Sequence, residues 1–459
     1  MPLDAVFRLH RRSRPTKTAI IEGDRRIDYR TLDRLIDGAA HALHAQGIRR
    51  EMLVGVALRD TAEHLITLLA LARLGAVMLP MDCRWQSAEK QGVAAHFAAE
   101  RVLLEADDPA VAEYGWTGLE PGWIVESGEP YHDLAVTDDS PLLLSLSSGT
   151  TGMPKGPRVT HRQFESRFMV YWINLGLNAQ DVYVSVTPLY FGGGRGFNIA
   201  MLFAGATVSL LSPRTRMSEL AAHVRSVGGT VLFLVPTMIR RLLEEGLPGL
   251  ALPTLRVLIS SGSALHPEER LAIRERLTPN LFEFYSSTEG GGVSVLTPAD
   301  CELHPDSVGR PAFRVEVEIV DEEHTPLPPG AIGRLRYRSP ASAKSYYRAE
   351  GGEAFRDFLA LLADNRRLQL LPEIAGLYEE LRADAERIVK AKVTAAKELS
   401  GDELESIRAA LKRRFGREVE IEAAVDESLI GGAVIAAGDV VIDGSLRGKL
   451  SRLQNTLTH

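Results

Sequence analysis

Residues 141–156 read Pro-Leu-Leu-Leu-Ser-Leu-Ser-Ser-Gly-Thr-Thr-Gly-Met-Pro-Lys-Gly. The apolar run from Pro141 to Leu144 predicts a buried strand. The loop after it, Leu146 to Gly156, holds four hydroxyl side chains, three glycines and Lys155. Glycine lets the backbone approach a ligand closely and turn successive N–H groups toward an anion, while hydroxyls add further donors. The stretch therefore predicts a phosphate-binding loop at the end of a strand.

Two other interpretations of this loop are a Walker A loop and a flexible Ser/Gly linker. A Walker A loop is excluded because G-x-x-x-x-G-K-[ST] cannot be fitted and Pro154 precedes the lysine. A flexible Ser/Gly linker needs neither a strand before it nor a Pro-Lys-Gly ending. The residue order resembles the phosphate loop of the adenylate-forming superfamily, which includes acyl-CoA synthetases, luciferases and adenylation domains of peptide synthetases. The resemblance implies that ATP or AMP is bound by Ser147, Ser148, Gly149, Thr150, Thr151, Gly152 and Lys155.

A second motif lies at residues 282–290, which read Phe-Glu-Phe-Tyr-Ser-Ser-Thr-Glu-Gly. Alone, this stretch fits an edge strand ending in a polar turn, but it is similar to the Tyr-Gly-x-Thr-Glu motif of the same superfamily. The resemblance implies that Tyr285 stacks on adenine, that Thr288 bonds a phosphate oxygen, and that Glu289 holds Mg²⁺ together with Thr150, since Mg²⁺ prefers oxygen ligands. Lys155 and Glu289 are the catalytic candidates. Ser286, also a nucleotide-binding candidate, stands where glycine is usual.

Two small-residue turns are candidates for the substrate pocket. Phe191 and a glycine cluster follow the predicted strand Val182–Val186. A glycine cluster alone fits a simple turn, but in the superfamily this position walls the acyl pocket, which implies roles for Phe191, Gly192 and Gly193. A second buried strand, Val257–Ser260, runs into small residues that suit close approach by a ligand. Here we expect Ser261 and Gly262 at the substrate and Ser263 at the nucleotide.

Strands alternate with helices through the first part of the chain. Examples are the strands Ala19–Asp24 and Arg26–Tyr29, a helix that Thr31 would cap, and the buried strand Val54–Leu58. Such alternation predicts an α/β fold with a parallel sheet covered on both faces. The resemblance implies two βαβ-layered subdomains over residues 1–303 and a partial β-barrel over residues 304–357, where Arg334 replaces a usual glutamate at a position expected to be exposed.

The sequence changes character between Asp357 and Phe358. The superfamily would continue with Gly-Trp-Phe and then a Thr-Gly-Asp whose aspartate binds ribose. Residues 358–368 read Phe-Leu-Ala-Leu-Leu-Ala-Asp-Asn-Arg-Arg-Leu instead. Neither that aspartate nor the mobile C-terminal domain with its catalytic lysine is recognisable.

Residues 358–459 resemble the C-terminal part of the ATP synthase delta subunit, the relative of the oligomycin-sensitivity-conferring protein. The resemblance rests on Leu361–Pro372, Val425–Gly432 and Gly438–Gly448. It implies a small α+β region that joins the peripheral stalk and contacts ATP synthase subunits, while most of the bundle that grips the catalytic head is missing. A terminal apolar stripe, Leu446 to Leu457, fits either core packing or a docking face.

Composition excludes several classes of protein. A net charge of −7 and the lack of a dominant basic run argue against nucleic-acid binding. Cys83 and Cys301 have no metal-ligand spacing and fit a reducing cytoplasm. No apolar segment follows the basic residues His10–Arg14, so no export signal is expected. No apolar run approaches roughly 18 residues, so no membrane span is expected. We therefore expect a cytoplasmic protein, peripheral at the inner membrane face if the delta-like part assembles.

Three functions remain open. The leading hypothesis is an acyl-CoA-synthetase-type module that converts a carboxylic acid, fatty acids included, and ATP to acyl-AMP and pyrophosphate, with CoA or another thiol as later acceptor. We expect it to be poorly active. The alternatives are a stalk subunit for proton-driven ATP synthesis with an AMP-binding passenger domain, and a pseudo-enzyme that only binds nucleotide. The junction falls inside a motif without a Pro/Gly/Ser-rich linker, which is typical of an accidental fusion, a frameshifted gene or an artificial chimera.

Overall fold

The computed structural model describes residues 2–133, 135–146, 155–347, 388–397, 399–415, 418–426, 429, 433–437 and 440–443. The chain divides into two compact units, Met1–Glu350 and Gly351–His459. This division lies close to the junction inferred from the sequence, whereas the finer domain bounds at residues 303 and 357 stay predictions. No helix in the described part of the chain combines the length and apolar character that crossing a bilayer requires.

The described helices of the first unit follow the alternating pattern expected from the sequence. They are α1 (Ala5–Ser13), α2 (Tyr29–Ala45), α3 (Ala62–Leu74), α4 (Ser87–Phe97), α5 (Pro109–Tyr114), α6 (His161–Asn174), α7 (Gly192–Ala204), α8 (Met217–Ser226), α9 (Pro236–Glu244), α10 (Pro267–Arg276) and α11 (Pro298–Leu303).

The described strands of the first unit are mostly short and buried. They are β1 (Thr18–Glu22), β2 (Arg25–Asp28), β3 (Leu53–Ala57), β4 (Val77–Pro80), β5 (Arg101–Glu105), β6 (Thr117–Leu119), β7 (Pro141–Leu144), β8 (Pro157–Thr160), β9 (Val182–Ser185), β10 (Thr207–Leu210), β11 (Val231–Leu234), β12 (Val257–Ser260), β13 (Leu281–Ser287), β14 (Gly291–Leu296), β15 (Arg310–Pro311), β16 (Glu316–Val320), β17 (Arg334–Arg338) and β18 (Ser345–Tyr346).

These strands form two large sheets and one ribbon. The nine-stranded sheet has the order β15-β14-β13-β12-β11-β9-β10-β1-β2, and the seven-stranded sheet has the order β18-β8-β7-β4-β3-β5-β6. In the nine-stranded sheet the central pairs are parallel and the pairs at both edges antiparallel. In the seven-stranded sheet the pairs from β7 to β6 are parallel, and only the pairs at the β18 edge are antiparallel. The expected α/β class is therefore confirmed. Within residues 304–357, where a partial barrel was expected, β16 and β17 form the two-stranded ribbon, whereas β15 and β18 join the edges of the two large sheets. Arg334 in the ribbon is exposed as expected.

The largest buried cluster joins the two sheets through the helices between them. It contains Tyr183 and Val208 from the nine-stranded sheet, Val56 and Met78 from the seven-stranded sheet, and most of α3. Helix α3 is buried along nearly all its length, as its apolar residues require. This shared core fixes the position of one sheet relative to the other, and so fixes the cleft between their strand ends.

The start of α2 differs from the sequence expectation. Asp28, not Thr31, caps this helix, because the Thr31 N–H donates to Asp28 Oδ1 at 2.7 Å. Tyr29 already has helical geometry and belongs to the helix rather than to the strand before it. Aspartate and threonine are both good N-cap residues because each can accept from the free N–H groups of the first turn. The sequence therefore offered two possible caps three residues apart, and the prediction chose the wrong one.

The second unit, taken by itself, contains a four-stranded sheet. Its described elements are β19 (Ile388–Ala395), α12 (Gly401–Phe415), β20 (Glu418–Val425), β21 (Ala433–Ala437) and β22 (Val440–Asp443). The strand order is β20-β19-β21-β22, with β19 and β20 parallel and joined through α12.

Two local features complete the described part of the second unit. Strands β21 and β22 pair antiparallel. Ser400 and Glu403 form a capping box at the start of α12, with Ser400 N donating to Glu403 Oε2 at 2.9 Å. The predictions for Leu361–Pro372 and for the terminal stripe Leu446–Leu457 lie outside the described residues.

Candidate functional site

A cavity of about 810 Å³ opens where parallel strands of the nine-stranded sheet end. Strands β9, β11, β12 and β13 run parallel, so the loops after them meet at one edge. In open α/β sheets, ligands bind outside the carboxyl ends of the strands. The seven-stranded sheet contributes as well, because Ser145 and Leu146, which follow β7, also line the cavity. The edge is therefore the natural place for the predicted site.

The structure brings many of the candidates from the sequence to this cavity. Its lining includes Phe191, Gly192, Gly193, Ser261, Gly262, Ser286 and Thr288. Among the other described candidates, those outside the lining are Lys155, Ser263, Tyr285 and Glu289. The phosphate-loop candidates Ser147, Ser148, Gly149, Thr150, Thr151 and Gly152 lie outside the described residues. Leu146, the last described residue before that loop, lines the cavity.

Strand pairing places the two serine candidates beside each other. Ser260 at the end of β12 is opposite Glu283 of β13, so the chain beyond each strand emerges at the same edge. Ser261 Oγ lies 3.3 Å from Ser286 Oγ. Gly262 has a φ of +101°, a conformation that other residues rarely adopt. The turn after β12 therefore stays tight, with hydroxyls facing the cavity mouth.

Two neighbouring aromatic residues of β13 point to opposite faces of the strand. Phe284 is buried and lines the cavity, whereas the next residue, Tyr285, is 47% exposed. Ser286, two residues after Phe284, is again on the cavity side, and beyond the register shift between Tyr285 and Ser286 the next residues, Ser287 and Thr288, also line the cavity. Tyr285 thus presents an open ring face outside the lined cavity, which is compatible with stacking on a flat base.

The glycines at the start of α7 allow this helix to approach the cavity wall. A Cβ at Gly193 would lie 2.7 Å from Cε1 of Phe233, which is too close for any side chain. Phe233 in turn packs on Phe197 with ring centroids 5.0 Å apart. The glycine cluster is therefore more than a simple turn, because it lets the helix N-terminus close over an aromatic wall.

Glu289 and Lys155 are linked by a residue that the sequence analysis did not assign to the site. The Tyr346 hydroxyl lies 3.1 Å from Glu289 Oε1, and Lys155 Nζ lies 5.9 Å from the centroid of the Tyr346 ring. Tyr346 reaches this place because β18 pairs with β8, the strand that follows the phosphate loop. Burial and the Glu289 carboxylate raise the pKa of Tyr346, so the hydroxyl stays protonated and donates to Glu289.

Two buried arginines in the lining were also missed. Arg167 on α6 is 8% exposed and Arg195 on α7 is 2% exposed. Burial lowers the pKa of Arg167, and burial together with the nearby Arg167 charge lowers the pKa of Arg195 to about 9. Arg195 stands within the glycine cluster, of which the sequence analysis considered only Phe191 and the glycines, and Arg167 lies in a helix without a recognisable motif. Their convergence on one cavity reveals them.

Metal binding depends on few protein ligands here. The described residues contain no group of three or more His, Cys, Asp or Glu side chains arranged to hold a metal ion. Glu289 offers one carboxylate, one oxygen of which already accepts from Tyr346. Mg²⁺ is commonly held by one or two carboxylates together with substrate phosphates. A single carboxylate at Glu289 fits that pattern and does not fit a site built from protein alone.

Comparisons with known proteins divide the chain in the same way. Residues 7–347 match the family model described as AMP-binding enzyme, and residues 343–457 match the model described as ATP synthase delta (OSCP) subunit. The first part is similar to O-succinylbenzoate coenzyme A synthetase from Bacillus subtilis, solved in complex with AMP, at 23% identity and a TM-score of 0.68, covering 76% of this chain and 91% of that one.

A second solved structure with the same fold is the NpsA N-terminal subdomain from Klebsiella oxytoca, in complex with 3-hydroxybenzoyl-AMSN. It is 22% identical, with a TM-score of 0.67, and the match covers 76% of this chain and 89% of that one. At sequence identities of 22% and 23%, these similarities show a shared fold.

The last part of the chain has much more similar relatives. It is 64% identical over 110 residues to ATP synthase subunit delta of Xanthomonas euvesicatoria, a match that covers 24% of this chain and 63% of the relative. The delta subunit of Stenotrophomonas maltophilia is 64% identical over 108 residues, covering 24% of this chain and 62% of that relative. The chain thus spans less than two thirds of these relatives.

Proposed function

The chain belongs to the AMP-binding enzyme family, whose model covers residues 7–347, and on that premise we propose that its first unit binds ATP and a carboxylic acid for acyl-adenylate formation. In that reaction a carboxylate oxygen attacks the α-phosphorus of ATP. The bond between the α-phosphorus and the bridging oxygen breaks, and pyrophosphate leaves with the electron pair. The observation that carries the proposal is the cavity at the strand ends, whose lining holds candidates from three separate motifs of the family.

The candidate residues have distinct roles in this proposal. Thr288 lies in the cavity lining, where its hydroxyl can donate to a phosphate oxygen. Tyr285 offers its exposed ring to adenine, with Ser263, Ser286 and the residues 147–152 as further nucleotide contacts. Glu289 would hold Mg²⁺, which supplies positive charge to the phosphates when bound. Lys155, near Tyr346 and hence near Glu289, would contribute a second positive charge that favours the departing pyrophosphate.

The acid would occupy the apolar part of the cavity. Phe191, Gly192 and Gly193 form one side of it, and Ser261 and Gly262 form another. Pockets of several hundred Å³ with apolar walls and few polar groups are typical of small-molecule sites. CoA or another thiol would accept the acyl group in a second step.

We further propose that turnover is very slow. Residues 343–457 match the delta-subunit family instead of the closing domain, with its catalytic lysine, that the superfamily places after this fold. Without closure, a charge that stabilises the transition state is lost and water is not excluded. Binding does not require closure, and the Klebsiella relative supports this, since its N-terminal subdomain holds 3-hydroxybenzoyl-AMSN.

Two assays on the full chain test the proposal. Isothermal titration should show saturable binding of ATP in the presence of Mg²⁺. Exchange of labelled pyrophosphate into ATP should stay at the level of a protein-free control for a panel of aromatic and fatty acids. Brisk exchange with any acid would contradict the proposed loss of turnover. Failure to bind either ATP or an acyl-sulfamoyl adenosine would contradict nucleotide binding itself.

A second function is favoured by the identity of 64% to delta subunits. In this alternative, residues 358–459 join the peripheral stalk of ATP synthase, which would place the protein in the cytoplasm at the inner face of the membrane. A tagged full chain should then be recovered with ATP synthase subunits from detergent-solubilised membranes. If the tagged chain is not recovered with ATP synthase subunits, the stalk function is contradicted. The adenylation proposal does not depend on that result.

A further inference from the structure

The two cavity arginines lack the compensation that this chain gives to another buried arginine. Arg73, which is 2% exposed, is surrounded by carboxylates: its guanidinium nitrogens lie 2.6 Å from Asp37, 2.7 Å from Asp33 and 3.4 Å from Asp4. A buried charge is normally paired, since desolvation without a partner costs several kcal/mol. Arg73 obeys this rule and needs no ligand.

Arg167 and Arg195 find only neutral partners within the described residues. Arg167 Nη2 donates to the carbonyl oxygens of Thr288 and Glu289 at 3.1 and 3.2 Å. Arg195 Nη1 donates to those of Leu189 and Tyr190 at 3.1 and 2.8 Å. No carboxylate in the described part of the chain lies within ion-pair distance of either arginine.

One buried donor of each guanidinium group has no acceptor. The Nε atoms of Arg167 and Arg195 are fully buried and have no hydrogen-bond acceptor. Buried donors without acceptors are uncommon in folded proteins and destabilise them. Glu89, the acidic side chain in the cavity lining, accepts from the backbone N–H of Gln86 at 2.8 Å and caps α4. It does not neutralise either arginine.

The space beside these arginines suits a flat organic group. Aromatic rings stand along the wall, with Tyr171 and Phe197 4.4 Å apart and Tyr171 and Phe284 5.4 Å apart between centroids. Phe164 and Phe233 extend the same lining. Such a wall favours apolar and planar ligands, whereas the paired positive charges favour an anion. A purely aliphatic acid would fill the apolar space but would bring no second negative charge to the two arginines.

We propose that the acid activated by this protein carries a second anionic group, a carboxylate on an aromatic or similarly flat scaffold, which binds Arg195, with Arg167 in the same cavity lining. The inference rests on the proposed adenylation function and names its substrate class. The carbonyl bonds use Nη2 of Arg167 and Nη1 of Arg195 and hold each guanidinium in place. They leave the other terminal nitrogen of each group for the ligand. The second carboxylate would supply the missing counter-charge.

The test compares acyl-adenylate mimics that differ in one charge. The probes are 5′-O-(N-acylsulfamoyl)adenosines whose acyl group is benzoyl, 3- or 4-carboxybenzoyl, or the matching 3- or 4-carbamoylbenzoyl. The reacting carboxyl group is already part of the sulfamate in every probe, so any preference reports a second anion. Titration of the full chain should show at least one carboxylate probe binding tenfold or more tighter than its carboxamide counterpart.

Each other outcome has a defined meaning. Equal affinity within both carboxylate and carboxamide pairs overturns the inference and leaves the adenylation proposal standing, because the adenosine part still binds. That result would indicate that the arginines serve the phosphates or the reacting carboxylate. Failure of all the probes to bind overturns the adenylation proposal and the inference together.

Substitutions of single arginines then test which side chain causes the preference for the carboxylate probes. Arg195→Gln should reduce the ratio of carboxylate to carboxamide affinity at least fivefold, and Arg195→Lys should keep part of that preference. Arg162→Gln, which removes a half-exposed arginine from α6, should leave the preference unchanged. An unaltered preference in a folded Arg195→Gln protein would overturn the assignment of that residue. Should that variant fail to fold, the probe comparison on the unaltered chain still decides the inference.

Discussion

The two carboxylate oxygens of Glu289 can make different contacts. One oxygen accepts from the Tyr346 hydroxyl at 3.1 Å, which orients the side chain, and in the proposed function the other oxygen would hold Mg²⁺. Hydrogen bonding of a carboxylate by a neighbouring hydroxyl is a common way to orient a metal ligand. Tyr346 is therefore a positioning residue for Glu289.

Replacing Glu289 tests its role toward magnesium. Glu289→Gln keeps the shape and the hydrogen bond but removes the charge, so we expect affinity for ATP with Mg²⁺ to fall about tenfold, in line with bonds to charged groups. Affinity for AMP without Mg²⁺ should change little. Titration calorimetry measures both, with Glu322→Gln, at a position that is 85% exposed, as the matched control. Equal losses for both nucleotides would contradict a metal-binding role.

A buried histidine makes the stability of the first unit depend on pH. His161 is 1% exposed, and its Nδ1 accepts from the Leu3 backbone N–H at 3.0 Å. Burial lowers its pKa from 6.5 to about 4, so the folded state keeps it neutral. Below pH 6.5 the unfolded state binds the proton more readily, and stability falls as pH drops from 6.5 toward 4. The full effect is about 3 kcal/mol.

His161→Asn should remove much of this acid sensitivity. Asparagine offers an oxygen near the position of Nδ1 and does not titrate, so the acceptor for Leu3 is kept. Urea unfolding at pH 7.5 and pH 5 should show a smaller difference in stability for the variant than for the original chain. An unchanged difference would mean that other groups cause the acid loss.

Helical glycines of the first unit differ in what surrounds them. On α2, a Cβ at Gly38 would lie 1.7 Å from the carbonyl oxygen of Val125, so the helix and the loop around Val125 approach backbone to backbone. On α4, Gly92 is exposed and a Cβ there would meet nothing within 4 Å. Both positions have ordinary helical geometry, so they form a natural pair for comparison.

We expect opposite effects from the same substitution at these two glycines. Gly38→Ala should destabilise the first unit by about 1–3 kcal/mol, because backbone must move to admit the methyl group. Gly92→Ala should stabilise it by about 0.5–1 kcal/mol through the higher helix propensity of alanine. Thermal unfolding followed by circular dichroism measures both. A stabilised Gly38→Ala protein would show that α2 and the Val125 loop do not pack as described.

Two family matches in one chain raise the question of the native polypeptide. The AMP-binding match ends at residue 347 and the delta-subunit match begins at residue 343, so the two meet with no linker between them. Domains joined by natural fusion usually have a flexible connection. The structure itself divides the chain at Glu350, within a few residues of that overlap.

The intact mass in native cells decides whether both parts act together. A single polypeptide should give a species near 50.2 kDa that antibodies against either part recognise. Recovery of two separate and longer products would contradict the fusion, and each part would then act within its own complete family. Mass spectrometry of immunopurified protein provides the measurement, with antibodies raised to the first unit and to the second unit as mutual controls.

The sequence by itself determined the α/β class, the two family resemblances and most of the candidates that line the cavity. These depend on local patterns: strand and helix periods, small-residue turns, and the polar residues that follow strands. The tertiary structure alone decided that Arg167 and Arg195 share a cavity without carboxylate partners in the described part of the chain. It alone brought Tyr346 to Glu289, residues separated by 57 positions. Such contacts depend on pairing between strands that lie far apart in the sequence, as β18 and β8 do. Short sequence patterns contain no information about that pairing.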